Sequence, residues 1–153
     1  MKIFINRRML CLLTLFACVF VAGISAAPSA MAADQSVPLK GRFQGAGEHF
    51  SGNMTHLGAF QGVIDNSVVP PTAVWTAANG DTITNQTVSF EIDTSSLIGP
   101  NLYPYTQEID ITGGTGRFMD ATGHAHVTGA INIVTFEYDG RLQGHLSKPH
   151  HRP

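Results

Sequence analysis

The chain has 153 residues, 43% of them hydrophobic and 13% charged, with nine Lys and Arg against eleven Asp and Glu. That length bounds it to one domain. Three of the cations, Lys2, Arg7 and Arg8, lie at the extreme N-terminus, so the remainder sets six cations against all eleven carboxylates, a net of about −5. A mildly acidic chain without clustered Lys or Arg excludes nucleic acid as an expected partner, because phosphate neutralisation needs such clusters; ordinary solubility accounts for the balance.

Residues 1–32 have the build of a secretory signal peptide. Lys2, Arg7 and Arg8 supply the positive end, residues 9–27 are almost wholly apolar, and Ala30-Met31-Ala32 gives the small-x-small cleavage site. A stretch of about 19 apolar residues is also long enough for a membrane anchor, but Pro28 and the small residues after it favour cleavage, which leaves no stable membrane span. A lipoprotein signal at Leu15-Phe16-Ala17-Cys18 fits worse, because Phe16 is out of place and the residues after Cys18 are apolar. The expected destination is therefore a periplasm or the outside medium. Both cysteines, Cys11 and Cys18, fall inside the leader. The mature domain, residues 33–146, is thus expected to hold together without disulfides and without cysteine-based metal or nucleophile chemistry. Residues 147–153 read as a flexible His/Pro tail carrying His150 and His151.

Residues 33–38 form a polar lead-in ending at Pro38. From Leu39 onward the pattern is glycine-punctuated alternation, with no amphipathic helix of about ten residues or more. The expected strands are 40–50, 54–64, 72–79, 82–93, 103–112, 117–128, 130–138 and 140–146, the spacing of a sandwich or barrel. Asn79-Gly80-Asp81 is the clearest hairpin turn and Asp139-Gly140 a second, since Asn and Gly tolerate left-handed conformations. Pro70-Pro71 and Gly99-Pro100-Asn101 mark longer connections, and Pro104 is expected at a strand start or edge. Two strands change parity. Val88, Phe90 and Ile92 are out of phase with Ile83, and Ile131 and Ile133 with Val134, Phe136 and Tyr138; each shift implies a bulge or a strand apolar on both faces.

One pattern recurs. Gly41-Arg42-Phe43-Gln44-Gly45 is echoed by Gly58-Ala59-Phe60-Gln61-Gly62 and by Gly140-Arg141-Leu142-Gln143-Gly144. In an extended chain the two glycines and the apolar residue share one face. Small-large-small along one face fills the interior of a tightly curved barrel, and strand glycines let the sheet bend. Its occurrence near both ends of the domain predicts a closed sheet with first and last strands as neighbours, which also removes the exposed edges.

The segment at 109–123, IDITGGTGRFMDATG, reads as a β-hairpin whose reversal is made by Gly113, Gly114 and Gly116, with Phe118 as an apolar plug. Thr112-Gly113-Gly114-Thr115-Gly116-Arg117-Phe118 followed by Gly123 resembles the hairpin of the allene oxide cyclase and dirigent-like β-barrel superfamily. Residues 135–144, TFEYDGRLQG, resemble the closing strands of that family. Thr55-His56-Leu57-Gly58-Ala59-Phe60 and Ala77-Ala78-Asn79-Gly80-Asp81-Thr82 resemble exported bacterial domains of unknown function associated with the same barrel. The resemblance implies an all-β, single antiparallel eight-stranded barrel and, from the plant members, a homo-oligomer. It carries over no catalytic residue, because the matching glycines and Phe118 are scaffold.

His124-Ala125-His126 places two imidazoles on one strand face, the spacing of a metal pair. Two histidines on a solvated face are the ordinary reading of that spacing. A cupin would place a glutamate about four residues on, where this chain has Ala130 and Ile131. A third ligand would have to come from His56, Glu48 or His49, so neither a metal nor any other cofactor is expected. Glu91, Glu108, Asp110 and Glu137 alternate with apolar residues and are acid–base candidates only if buried. No G-x-S-x-G elbow and no phosphate-loop spacing is present. Phe43, Phe60, Trp75, Phe90, Tyr105 and Phe136 are expected to pack the core or, if the interior is hollow, to line a cavity for a small apolar ligand. The expected role is a non-catalytic binding or structural module. The alternative is a cyclase or isomerase acting on an unsaturated lipid-like substrate, which an open apolar cavity containing a buried carboxylate or asparagine would favour.

Overall fold

The computed structural model describes residues 36–147 and Pro149. The expected signal peptide with Cys11 and Cys18, and the tail histidines His150 and His151, lie outside the described residues. Eight antiparallel strands follow in chain order: β1 (Ser36–Ala46), β2 (His49–Met54), β3 (Gly58–Asp65), β4 (Thr72–Ala77), β5 (Thr82–Ile92), β6 (Leu102–Gly114), β7 (Gly123–Asn132) and β8 (Glu137–Ser147). Each pairs with the next. β8 then pairs with β1 from Ser36 opposite Ser147 to Ala46 opposite Glu137, closing the sheet into a barrel.

The recurring glycine pattern is what lets large side chains occupy so narrow a cylinder. Across the β1–β8 seam Leu39 faces Gly144, Gly41 faces Leu142, Phe43 faces Gly140 and Gly45 faces Tyr138. The alternation continues across β2 and β3, where Gly52 faces Phe43 on one side and Phe60 on the other, and Gly62 faces Phe50. A methyl group at Gly62 would overlap the Phe50 ring, and one at Gly140 would come within 2.5 Å of Phe43 Cζ and 2.7 Å of Tyr105 Oη. Each ring therefore lies over a neighbour's bare backbone, the pairing by which glycine and aromatic residues stabilise a bent sheet.

Several expected boundaries are displaced, each for a local reason. β1 begins at Ser36, so Pro38 is a strand residue opposite His145 rather than the end of a lead-in. The expected strands 40–50 and 54–64 are three, because the chain reverses at Gly47 (φ +59°) and again at His56 (φ +66°) and Gly58 (φ +73°). The expected strand 130–138 is instead the end of β7, a turn with Phe136 at φ +57°, and the start of β8, so its parity change is a turn. Asp139-Gly140 is no turn but lies within β8, where Gly140 makes room for two rings. The parity change in β5 is a true irregularity: register shifts fall between Thr84 and Asn85 and between Thr87 and Ser89. The Asn79-Gly80-Asp81 turn stands as expected, with Gly80 at φ +86° and Ala77 N–H donating to Asp81 O at 2.9 Å.

The glycine-rich corner is also not a tight hairpin. β6 runs to Gly114, Gly116–Phe118 form a single 3₁₀ turn, and β7 starts at Gly123. Gly116 has φ +62°, where glycine is favoured. Gly114 is needed for space instead: a Cβ there would collide with Thr82 O. The corner drives Phe118, which is fully buried, into the end of the barrel beside Leu57 and Ala121. That end, carrying the connections 55–57, 78–81 and 115–122, is plugged. The opposite end carries 47–48, 66–71, 93–101 and 133–136.

Candidate functional site: the barrel cavity

Above the plug the interior is hollow. A cavity of about 470 Å³ takes lining side chains from all eight strands, among them Phe43, Phe50, Trp75, Tyr105, Val127 and Leu142. It opens at the end opposite Phe118, between the connection 66–71 and the irregular part of β5. Val69, 95% exposed, and Phe90, 47% exposed, form part of its rim together with Pro70 and Val88. The volume falls within the range of small-molecule sites. Two wider depressions, about 700 and 900 Å³, are lined by polar side chains such as Gln44, Ser51 and Gln61 together with residues of β8.

Four of the six aromatic candidates line this cavity: Phe43, Trp75, Phe90 and Tyr105. Phe90 stands against Tyr105 with ring centroids 5.4 Å apart. Phe60 does not line it; its ring is buried against Phe50 and Trp75 at 6.0 and 5.9 Å. Phe136 does not either, since it sits in the 133–136 turn, 59% exposed. The structural turn residues Gly113, Gly114, Gly116 and Phe118 belong to the plugged end.

Polar groups in the cavity are few, and the alternation pattern had passed over the most buried of them. Asn85, 3% exposed, points inward from β5 in phase with Ile83. Its Nδ2 donates to Ala73 O at 3.2 Å, while among the described residues its Oδ1 accepts no hydrogen bond and is not sealed in the core. The signal was available in the alternation Ile83, Asn85, Thr87. Tyr105 is 4% exposed, and its hydroxyl likewise has no hydrogen-bond partner among the described residues. Burial, with Tyr138 and Asp139 nearby, pushes the Tyr105 phenol far above its ordinary value. Tyr138 is pushed up to about 12 by burial and donates to Gly47 O at 3.3 Å. Both are neutral phenols at any physiological pH. Gln107 Nε2 donates to Thr87 Oγ1 at 3.0 Å on the same wall.

The acid–base candidates are elsewhere. Glu91, Asp110 and Glu137 are exposed, Glu108 is half-buried on the outer face, and none of the four lines the cavity. The buried carboxylate is one that the spacing did not single out: Asp81, 2% exposed, at the plugged end. Arg117 Nε lies 3.2 Å from Asp81 Oδ2, and Arg117 Nη2 donates to His56 O at 2.9 Å. Asn79 Nδ2 also donates to Asp81, at 2.9 Å. The arrangement ties the 78–81 turn to the 3₁₀ corner and explains why Gly116 must lack a side chain, since a Cβ there would collide with Asp81 Oδ1.

His124 and His126 do share the outer face of β7, as their spacing implied, but their nitrogens are engaged by carboxylates. His124 Nδ1 donates to Asp110 Oδ1 at 2.7 Å and its Nε2 to Glu108 Oε2 at 2.9 Å, while His126 Nδ1 donates to Glu108 Oε1 at 2.6 Å. Donation from both nitrogens of His124 requires the imidazolium. The Asp110 hydrogen bond, supported by Glu108, raises the His124 pKa, and the His126 hydrogen bond lowers that of Glu108. Among the described residues no group of three or more His, Cys, Asp or Glu is arranged to hold a metal ion. The suggested third ligands, Glu48, His49 and His56, belong to the connections flanking β2 or to its first residue.

No protein-family model, no curated protein and no solved structure matches this chain. Among the described residues no helix is long and apolar enough to cross a membrane.

Proposed function

We propose that this chain is an exported, non-catalytic binding module that holds one small apolar molecule inside its barrel. The observation that carries the reading is the 470 Å³ apolar cavity, walled by every strand and open at one end only. The glycine-rich corner and the eight-stranded closure support kinship with the allene oxide cyclase and dirigent-like barrels, and the leader composition supports export. Trp75 is the only tryptophan in the chain and lines the cavity, so its emission reports occupancy. Titration with a small apolar probe such as 1-aminoanthracene is expected to change Trp75 emission saturably at one site per chain. An unchanged emission together with no retained ligand in native mass spectrometry from the producing host would reject the reading.

A second reading, a cyclase or isomerase, is favoured by one observation, the buried Asn85 whose carbonyl faces the cavity. Against it stands the lack of any carboxylate or imidazole among the lining residues to move a proton. Recovery of a bound compound unchanged after prolonged incubation with the protein supports the binding module; recovery of its isomer supports the enzyme.

A further inference from the structure

The chemistry of the cavity wall and of its mouth narrows what such a module accepts; this step rests on the binding reading above. Twenty-three residues line the cavity, and none is Lys, Arg, His, Asp or Glu. The only ionisable groups among them are the phenols of Tyr105 and Tyr138, both neutral. Among the described residues no helix aims an N-terminus inward, the single 3₁₀ turn being part of the plug. A charged group carried inside would therefore lose its hydration without gaining a counter-charge, which is prohibitive unless it neutralises. Leaving the charge at the mouth does not rescue an anion. Tyrosines aside, the ionisable side chains on the open-end turns and adjoining strand ends are Glu48, Asp65, Glu91, Asp93, Glu137 and Asp139, with His49. Lys40, Arg42, Arg117 and Arg141 are all placed at mid-strand or toward the plugged end. An acidic mouth repels a carboxylate or phosphate head at the same place where the apolar rim admits its tail.

Asn85 and Tyr105, residues each more than nine-tenths buried, both carry a polar atom, Oδ1 and Oη, that has no hydrogen-bond partner among the described residues and is not sealed from the cavity. The Tyr105 hydroxyl is accommodated by Gly140, whose missing Cβ would stand 2.7 Å from it. A strand position has thus been kept bare next to a hydroxyl that makes no bond within the described protein. We propose that the ligand is an uncharged, largely apolar molecule bearing a hydroxyl or carbonyl group, bound with that group on Tyr105 or Asn85, and that the barrel rejects the corresponding acid.

The test is a matched series, 1-decanol, decane and decanoic acid, titrated into the full mature chain at pH 8 with Trp75 emission and isothermal calorimetry as readouts. 1-Decanol is expected to bind about a hundredfold more tightly than decanoate, the penalty for an unpaired charge. It is expected to exceed decane by roughly fivefold, the net worth of one hydrogen bond. Lowering the pH toward the carboxyl range, about 4 to 5, should close the gap between acid and alcohol. Tyr105→Phe or Asn85→Leu should erase the preference of alcohol over decane. Tyr105→Phe removes no hydrogen bond made within the described protein, so its melting temperature should be retained. Equal binding of decanol and decanoate at pH 8 overturns the ligand class while leaving the binding module standing. A preference over decane that survives in both variants overturns the assigned contact. Failure of every compound to bind removes the binding reading itself.

Discussion

Two glycines in the same chain do opposite jobs, and substitution separates them. Gly116 combines φ +62° with a Cβ position against Asp81 Oδ1, whereas Gly47, at φ +59°, has nothing within 4 Å. Gly47→Ala should therefore cost only the left-handed backbone penalty, about 1 kcal/mol. Gly116→Ala adds displacement of a buried carboxylate that Arg117 and Asn79 hold, and should lower stability by about 3 kcal/mol or more. Urea denaturation of the two variants against the parent measures the difference, and equal costs would contradict the packing at the corner. The sequence reading puts Gly116 in a turn and Gly47 inside the expected strand 40–50. What distinguishes them is Asp81, thirty-five residues from Gly116 in the chain and adjacent only once β5 and β6 pair. For the same reason the Asp81–Arg117 contact was not legible, although the Asn79-Gly80-Asp81 turn that presents Asp81 was.

The outer face of the β6–β7 pair couples stability to pH. His124 faces Asp110 and Glu108 on β6, His126 beside it on β7, and His145 opposite it on β8. Its pKa is raised above the ordinary 6.5, so its contribution is complete below about pH 6.5 and fades as pH rises through the folded value. Glu108 is lowered below its ordinary 4.5, so its contribution is present above that pH and fades as pH falls through its folded value. The network is thus strongest between about 4.5 and 6.5. Melting temperature should decline modestly from pH 6 to pH 9, the more so at low salt because these groups are half-exposed. His124→Gln should flatten that slope, and a slope unchanged in the variant would show that the network contributes nothing. The spacing of His124 and His126 was readable from the sequence. Their partners were not, since Glu108 and Asp110 become neighbours only through the register that sets Asp110 against His124 and Glu108 against His126. The parity change in β5 was readable in the same partial way. Val88 and Phe90 out of phase with Ile83 announced an irregularity, but its result, a rim that turns Phe90 onto Tyr105, depends on β6.

At the scale of the molecule, closure followed from composition more directly than any boundary did. Glycines alternating with Phe43, Phe60 and Leu142 can pack only when neighbouring strands offset small against large, and the β1–β8 register does so at four successive inward positions. That same pattern leaves open whether the interior is filled, and the structure is plugged at one end with a cavity of about 470 Å³ above the plug. The plug is supplied by Phe118 and Leu57 from connections, which strand periodicity does not describe, whereas Val69 and Pro70 from the connections at the other end only rim the cavity. Closure has one more consequence. Because Ser36 and Ser147 sit side by side on adjoining strands, which of the eight strands is synthesised first is arbitrary as far as their pairing is concerned. A gene joining position 147 to position 36 through a short Gly-Ser linker, and opened instead at the exposed 47–48 turn, should yield a circular permutant with the same ring of neighbours and the same interior.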